Sequence, residues 1–175
     1  MKKRKLGNQA SKQMMNIKYL PLLSFMGILT LSCNQSGESV PAAPVDLTQA
    51  QIFSKGVRID SDHFHGNAWL DILVMADSVN KNAVGSVTFE PGARTSWHSH
   101  PNGQIILSLG GEGYYQEKGS PKKILRKGDV VKCPANVPHW HGASPETEFV
   151  QIAITSRVDG PTEWLEPVTD EQYTE

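Results

Sequence analysis

The 175-residue chain reads as an all-β barrel with a minor helix at its end. From about residue 50 onward, short runs rich in Val, Ile, Leu, Phe and Tyr recur at near-regular spacing. Turn chemistry separates them, and helix-compatible stretches fall only near the ends. Many short strands without interleaved helices point to a sandwich or barrel rather than a parallel α/β sheet.

The strand-like runs are Ala68–Met75, Val84–Phe89, Gln104–Leu109, Tyr114–Glu117, Lys123–Leu125, Val130–Cys133 and Phe149–Thr155. Between them stand Pro91-Gly92, Gly110-Gly111, Lys118-Gly119-Ser120-Pro121, Lys127-Gly128-Asp129 and Ser144-Pro145. These residues favour turns because Gly reaches positive φ and Pro fixes its own φ. Helix is compatible with Asp46–Phe53 and Thr169–Tyr173 only.

The first 33 residues have a different character. They hold six of the 17 basic residues (Lys2, Lys3, Arg4, Lys5, Lys12, Lys18) and none of the 18 acidic ones, so the remainder carries −7. An acidic body gives no reason to expect a nucleic acid partner. The basic start leads into a 13-residue apolar run, Tyr19–Leu31, and then Ser32-Cys33. A positive start, a short apolar stretch and small residues at the break describe an export signal, and the run is short for a membrane span. Met14-Met15 would open a signal of more ordinary length.

The placement of Cys33 resembles a bacterial lipoprotein signal, which implies acylation of Cys33 and anchoring in the periplasm or at the outer membrane. A plain secretory signal with a free Cys is the alternative. Residues 34–47 are small, polar and Pro-bearing, as suits a tether, and 48–175 form the folded domain. The other cysteine, Cys133, precedes Pro134 and reads as a buried strand-end residue; with Cys33 acylated, no intrachain disulfide remains available.

All six histidines fall in His-x-His pairs: His63/His65, His98/His100 and His139/His141. Side chains at i and i+2 of a strand share a face, so an inward pair aims two imidazoles at one point. Imidazole suits zinc, copper, iron and nickel, and an oxygen ligand extends the range to manganese. His63 and His65 sit in a polar loop and read as solvated, the alternatives being that His65 borders a pocket or that the pair belongs to a second metal site. Trp97 and Trp140, at odd offsets from the histidines, should face away from them into packing or an interface. Arg94 reads as the partner of an acid, the alternative being a reach into the barrel mouth.

Spacing distinguishes the second and third pairs. Gly92-(five residues)-His98-Ser-His100-(three residues)-Gln104-(five residues)-Gly110 and Gly128-(five residues)-Pro134-(four residues)-His139 resemble the two motifs of the cupin superfamily, in order. Asn136 stands where the second motif commonly has Gly, and Ala143 where it has Asn. The resemblance implies a double-stranded β-helix and makes His98, His100 and His139 ligands of one divalent metal ion. Gln104 takes the place of the usual Glu as the fourth ligand; the alternative is three histidines and water. A carbonyl dipole does not neutralise charge, so such a site keeps the ion's full charge and favours Lewis-acid work or anion binding.

The segments Val87–Gln104, Gly111-Glu-Gly, Gly128–Val131, Pro138–Ala143 and Val168–Tyr173 are similar to small bacterial mandelonitrile lyase-like cupins, the hydroxynitrile lyases, and to carboxymuconolactone-decarboxylase-associated relatives. That resemblance implies Mn2+, ahead of Fe2+, Zn2+, Ni2+ or Cu2+, and a small carbonyl or hydroxy substrate. It implies pocket positions at Val87, Gln151 and Thr155; lyase members carry His and Gln at the last two. It also implies a homodimer or tetramer. His141, on the face of His139 if the strand continues, reads either as a general base or as a hydrogen-bonded pocket wall. Two further functions fit the same ligands, a metal-dependent oxygenase and a non-catalytic metal- or ligand-binding lipoprotein.

Overall fold

The computed structural model describes residues 52–175. The export signal, Cys33, the tether and most of the proposed helix at Asp46–Phe53 lie outside these residues. Twelve strands make up the domain. They are β1 (Val57–Arg58), β2 (Phe64–His65), β3 (Ala68–Val74), β4 (Asn82–Phe89), β5 (Arg94–Thr95), β6 (His98–Ser99), β7 (Gln104–Glu117), β8 (Lys123–Arg126), β9 (Val130–Cys133), β10 (His139–Ala143), β11 (Phe149–Ser156) and β12 (Glu163–Trp164). A single helix, α1 (Asp170–Thr174), closes the chain.

Every pairing is antiparallel. One sheet runs β1-β3-β4-β11-β7-β9. In the other, β10 pairs β7 on one side and β5 and β6 on the other, with β8, β2 and β12 at the margins. The fold is the double-stranded β-helix.

β7 belongs to both sheets, and this corrects the sequence expectation of two strands with a turn at Gly110-Gly111. The chain bends there without reversing. Gly111 has φ +72°, and a Cβ at that position would stand 1.7 Å from the Glu148 carbonyl oxygen. The opposing strand shifts register between Val150 and Gln151, so the glycine and an irregularity in the β11 pairing together redirect the ladder. Gly111→Ala should therefore cost about 2 kcal/mol or more. In a thermal melt this is a midpoint fall of roughly 8 °C.

Two apolar clusters hold the barrel. Phe89, Ile106, Tyr115, Cys133 and Phe149 are at most 1% exposed and form the inner one with Val87 and Leu125. Cys133 is thus the buried strand-end residue expected, and burial pushes its thiol up to about 11. The second cluster joins Trp97, Trp140, Val168 and Tyr173 on the outside of the histidine strands, where the odd offsets of the two tryptophans place them.

The last turn is fastened to that cluster. Thr169 caps α1 in a reciprocal capping box with Gln172, satisfying otherwise unpaired amides. Tyr173 Oη donates to the Ala143 carbonyl at 2.8 Å. Arg94, almost fully buried, pairs with Asp170 at 2.6 Å and also donates to the Val168 carbonyl. The acid partner expected for Arg94 comes from the C-terminus.

Candidate metal centre

Register brings the motif histidines together. His98 of β6 and His139 of β10 are direct cross-strand partners. His100 lies two residues further on, at the start of the turn that leads into β7 and Gln104. That turn requires Gly103, whose φ is +71° and whose added Cβ would meet the Cys133 carbonyl oxygen at 2.3 Å. Asn136 adopts φ 59°, so the residue standing in for the motif's Gly takes the left-handed conformation that Asn tolerates.

The ligand atoms of His98, His100 and His139 lie within 4.8 Å of one another, and all three residues are buried. Nδ1 of His98 faces the Ser96 carbonyl and Nδ1 of His139 faces the Val137 carbonyl, both at 2.9 Å. His100 Nδ1 lies 3.3 Å from Thr162 Oγ1. With each Nδ1 so occupied, the Nε2 lone pair is the one left for an ion, an arrangement usual for metal-binding histidines. Nε2 of His100 and of His139 is buried without a hydrogen-bond partner.

Gln104 shows the same polarity. Its Nε2 donates to Thr155 Oγ1 at 3.0 Å across the β7–β11 pairing. Its Oε1 is buried and unpartnered. Buried polar atoms are normally satisfied, and a cation is the partner suited to acceptor atoms gathered in one place. The three histidines can hold a metal ion, and the donor set fits one.

Burial keeps these imidazoles neutral. Loss of hydration is the largest cause of a lowered pKa at His98, His100, His139 and His141. His100 falls to about 3, with further depression from His139 and the Arg157 guanidinium. A neutral imidazole is the ligating form.

The centre opens into a cavity of about 360 Å³. Val87, Thr155 and His141 are among its lining residues; Gln151 stands behind His141 rather than in the lining. The Gln151 Nε2 donates to His141 Nδ1 at 3.1 Å, which places the imidazole proton on Nε2. That Nε2 has no protein partner and is buried. A half-turn of the carboxamide would put Oε1 on an Nδ1–H and free the Nε2 lone pair, so Gln151 can support either tautomer.

Other walls were not legible in the sequence. Phe64, Leu70, Arg157, Thr162 and Trp164 all border the cavity. Trp164 packs on His98 with ring centroids 4.9 Å apart. His63, expected in solvent, is instead half-buried and stacked on Trp164 at 4.6 Å and 3°; His65 is exposed. Nothing periodic marks the segment 157–164, so only the fold reveals its role.

A family model described as "Cupin domain" matches residues 85–155. An (R)-mandelonitrile lyase from Granulicella tundricola is 45% identical over 114 residues, covering 65% of this chain and 87% of that protein. The chain belongs to the cupin family. A crystal structure of a cupin-like protein from Thermotoga maritima superposes with TM-score 0.69 at 52% identity, covering 71% of this cupin and 95% of the other. An acireductone dioxygenase from Alcanivorax borkumensis is 33% identical over 66 residues, 36% of either chain. A cupin 2 conserved barrel domain protein from Rhodopseudomonas palustris, at 13% identity and TM-score 0.54 over 66% of this cupin and 78% of that one, shares the fold.

Proposed function

We propose that this cupin is a metal-dependent carbon–carbon lyase of the hydroxynitrile type, acting on a small hydroxy or carbonyl compound and exported on a lipid anchor at Cys33. The observation that carries this reading is the gathering of unpartnered acceptors on His100, His139 and Gln104 beside the Nε2 of a buried, neutral His141. Similarity to the (R)-mandelonitrile lyase over most of that protein's length supports it.

His98, His100, His139 and Gln104 would hold the ion, with Mn2+ the expected metal. When bound, a divalent ion supplies positive charge that lowers the pKa of a nearby hydroxyl and favours an anionic leaving group. His141 is the group placed to hold or move a proton at Nε2, and its neutrality near pH 7 lets it accept the substrate hydroxyl proton once Gln151 presents Oε1 to Nδ1–H. Leu70, Val87 and Phe64 exclude water from the apolar side of the cavity.

The purified, Mn2+-loaded protein should release cyanide from mandelonitrile with saturation kinetics. His141→Ala should lower kcat about 10²-fold or more while metal content stays unchanged. Oxygen uptake without cyanide release would favour the oxygenase reading, which the acireductone dioxygenase alignment supports over a third of that protein.

A further inference from the structure

The chain has 18 acidic residues, yet no Asp or Glu among the described residues lines the cavity over the metal centre. Its one charged lining residue is Arg157. This residue follows directly on β11, and its backbone amide is tied to the Lys81 carbonyl at 2.8 Å. Its guanidinium is also fixed. Nη1 donates to Thr162 Oγ1 at 3.1 Å, and that hydroxyl lies 3.3 Å from His100 Nδ1. The cation therefore stands two hydrogen-bonding steps from a metal-site histidine.

No ion pair among the described residues includes Arg157. Nor do its Nε and Nη2 hydrogen-bond to any of them. A guanidinium offers five N–H donors in a planar fork that matches a carboxylate. Here Nη1 is held by Thr162, and the exposed side chain borders a cavity whose other walls include Leu70, Val87, Phe64 and Trp164. A positive charge without a counter-ion at the mouth of a mostly apolar chamber attracts an anion with an apolar body.

We infer that Arg157 makes this cavity selective for a small monocarboxylate, a hydroxy or oxo acid with an apolar or aromatic body, whose carboxylate pairs with the guanidinium. The inference goes beyond the lyase reading, whose cyanohydrin substrate needs no carboxylate, and does not rest on it. Carboxylate recognition by Arg157 requires no catalysis, so it can be measured separately. A neutral isostere loses the ion pair while keeping the apolar contacts.

The test is equilibrium binding of mandelate against mandelamide, and of benzoate against benzamide, by calorimetry at constant ionic strength. It uses the full chain, both with its metal and after metal removal, so that attraction by the ion is separated from attraction by Arg157. In the metal-free protein the acids should bind about ten-fold or more tighter than the amides, as befits one charge-assisted pair. Arg157→Gln should erase that preference, and Arg157→Lys should restore part of it. Because Arg157 is exposed, both variants should melt like the parent.

Equal binding of acid and amide to the parent, binding of neither, or a preference retained in Arg157→Gln would each overturn the inference. Carboxylate preference without cyanide release would leave it standing and remove the lyase reading. Cyanide release without carboxylate preference would do the reverse.

Discussion

His98→Ala should abolish tight metal binding while leaving the barrel folded. Losing only an outer partner of a metal-binding histidine typically costs 10–100-fold in affinity, so removal of a direct ligand should exceed about 100-fold. The natural observable is the metal-induced rise in melting temperature. An ion at about 1,000 times its Kd stabilises by about 4 kcal/mol, and the variant should lose nearly all of that rise. Its metal-free melting temperature should stay close to the parent's. Full metal occupancy by elemental analysis in His98→Ala would contradict the assigned centre. Gln104→Glu makes the complementary change, replacing a dipole with a charge. It should tighten the metal and weaken anion binding beside it.

The legibility of this site follows from which features are local in sequence. Strand parity foretells that His98 and His100 converge, and the spacing to His139 foretells the third member, because a two-residue period and a short turn leave little freedom. The burial of Trp97 and Trp140 follows from the same parity read the other way. β7 was harder. Gly110-Gly111 looks like a turn, since its conformational freedom is the same whether the chain reverses or only bends; the deciding contact is with Glu148, 37 residues away in sequence. Thr162, Trp164 and Arg157 had no local mark at all. Thr162 and Trp164 reach the centre because β12 pairs with β6, and Arg157 because it follows β11 with its amide on the Lys81 carbonyl, long-range registers that no short-range pattern encodes. The same holds for His63, which reads as a loop residue until Trp164 is in place to receive it.

Acid should unfold the metal-free domain over a window set by its buried histidines. His98, His100, His139 and His141 all have pKa values lowered from the ordinary 6.5, chiefly by burial. Above 6.5 neither folded nor unfolded chain protonates these groups, and their contribution to stability is complete. As pH falls below 6.5 the unfolded chain takes up protons that the folded chain refuses, so stability declines. A histidine costs about 1.4 kcal/mol per pH unit between its unfolded and folded pKa values, and His100 ceases to contribute to the slope only near its folded value of about 3. His100 alone, with its folded value of about 3, should remove about 2 kcal/mol by pH 5, and the other three add to the decline in the same direction, against the roughly 5–15 kcal/mol that holds an ordinary domain. Denaturant midpoints of chelator-treated protein should therefore fall steeply from pH 7 to pH 5. Saturating metal should move the decline to lower pH, because protons must then displace the ion as well as enter the core. A midpoint that stays level over this interval in the metal-free protein would show that the four imidazoles are not held neutral by burial.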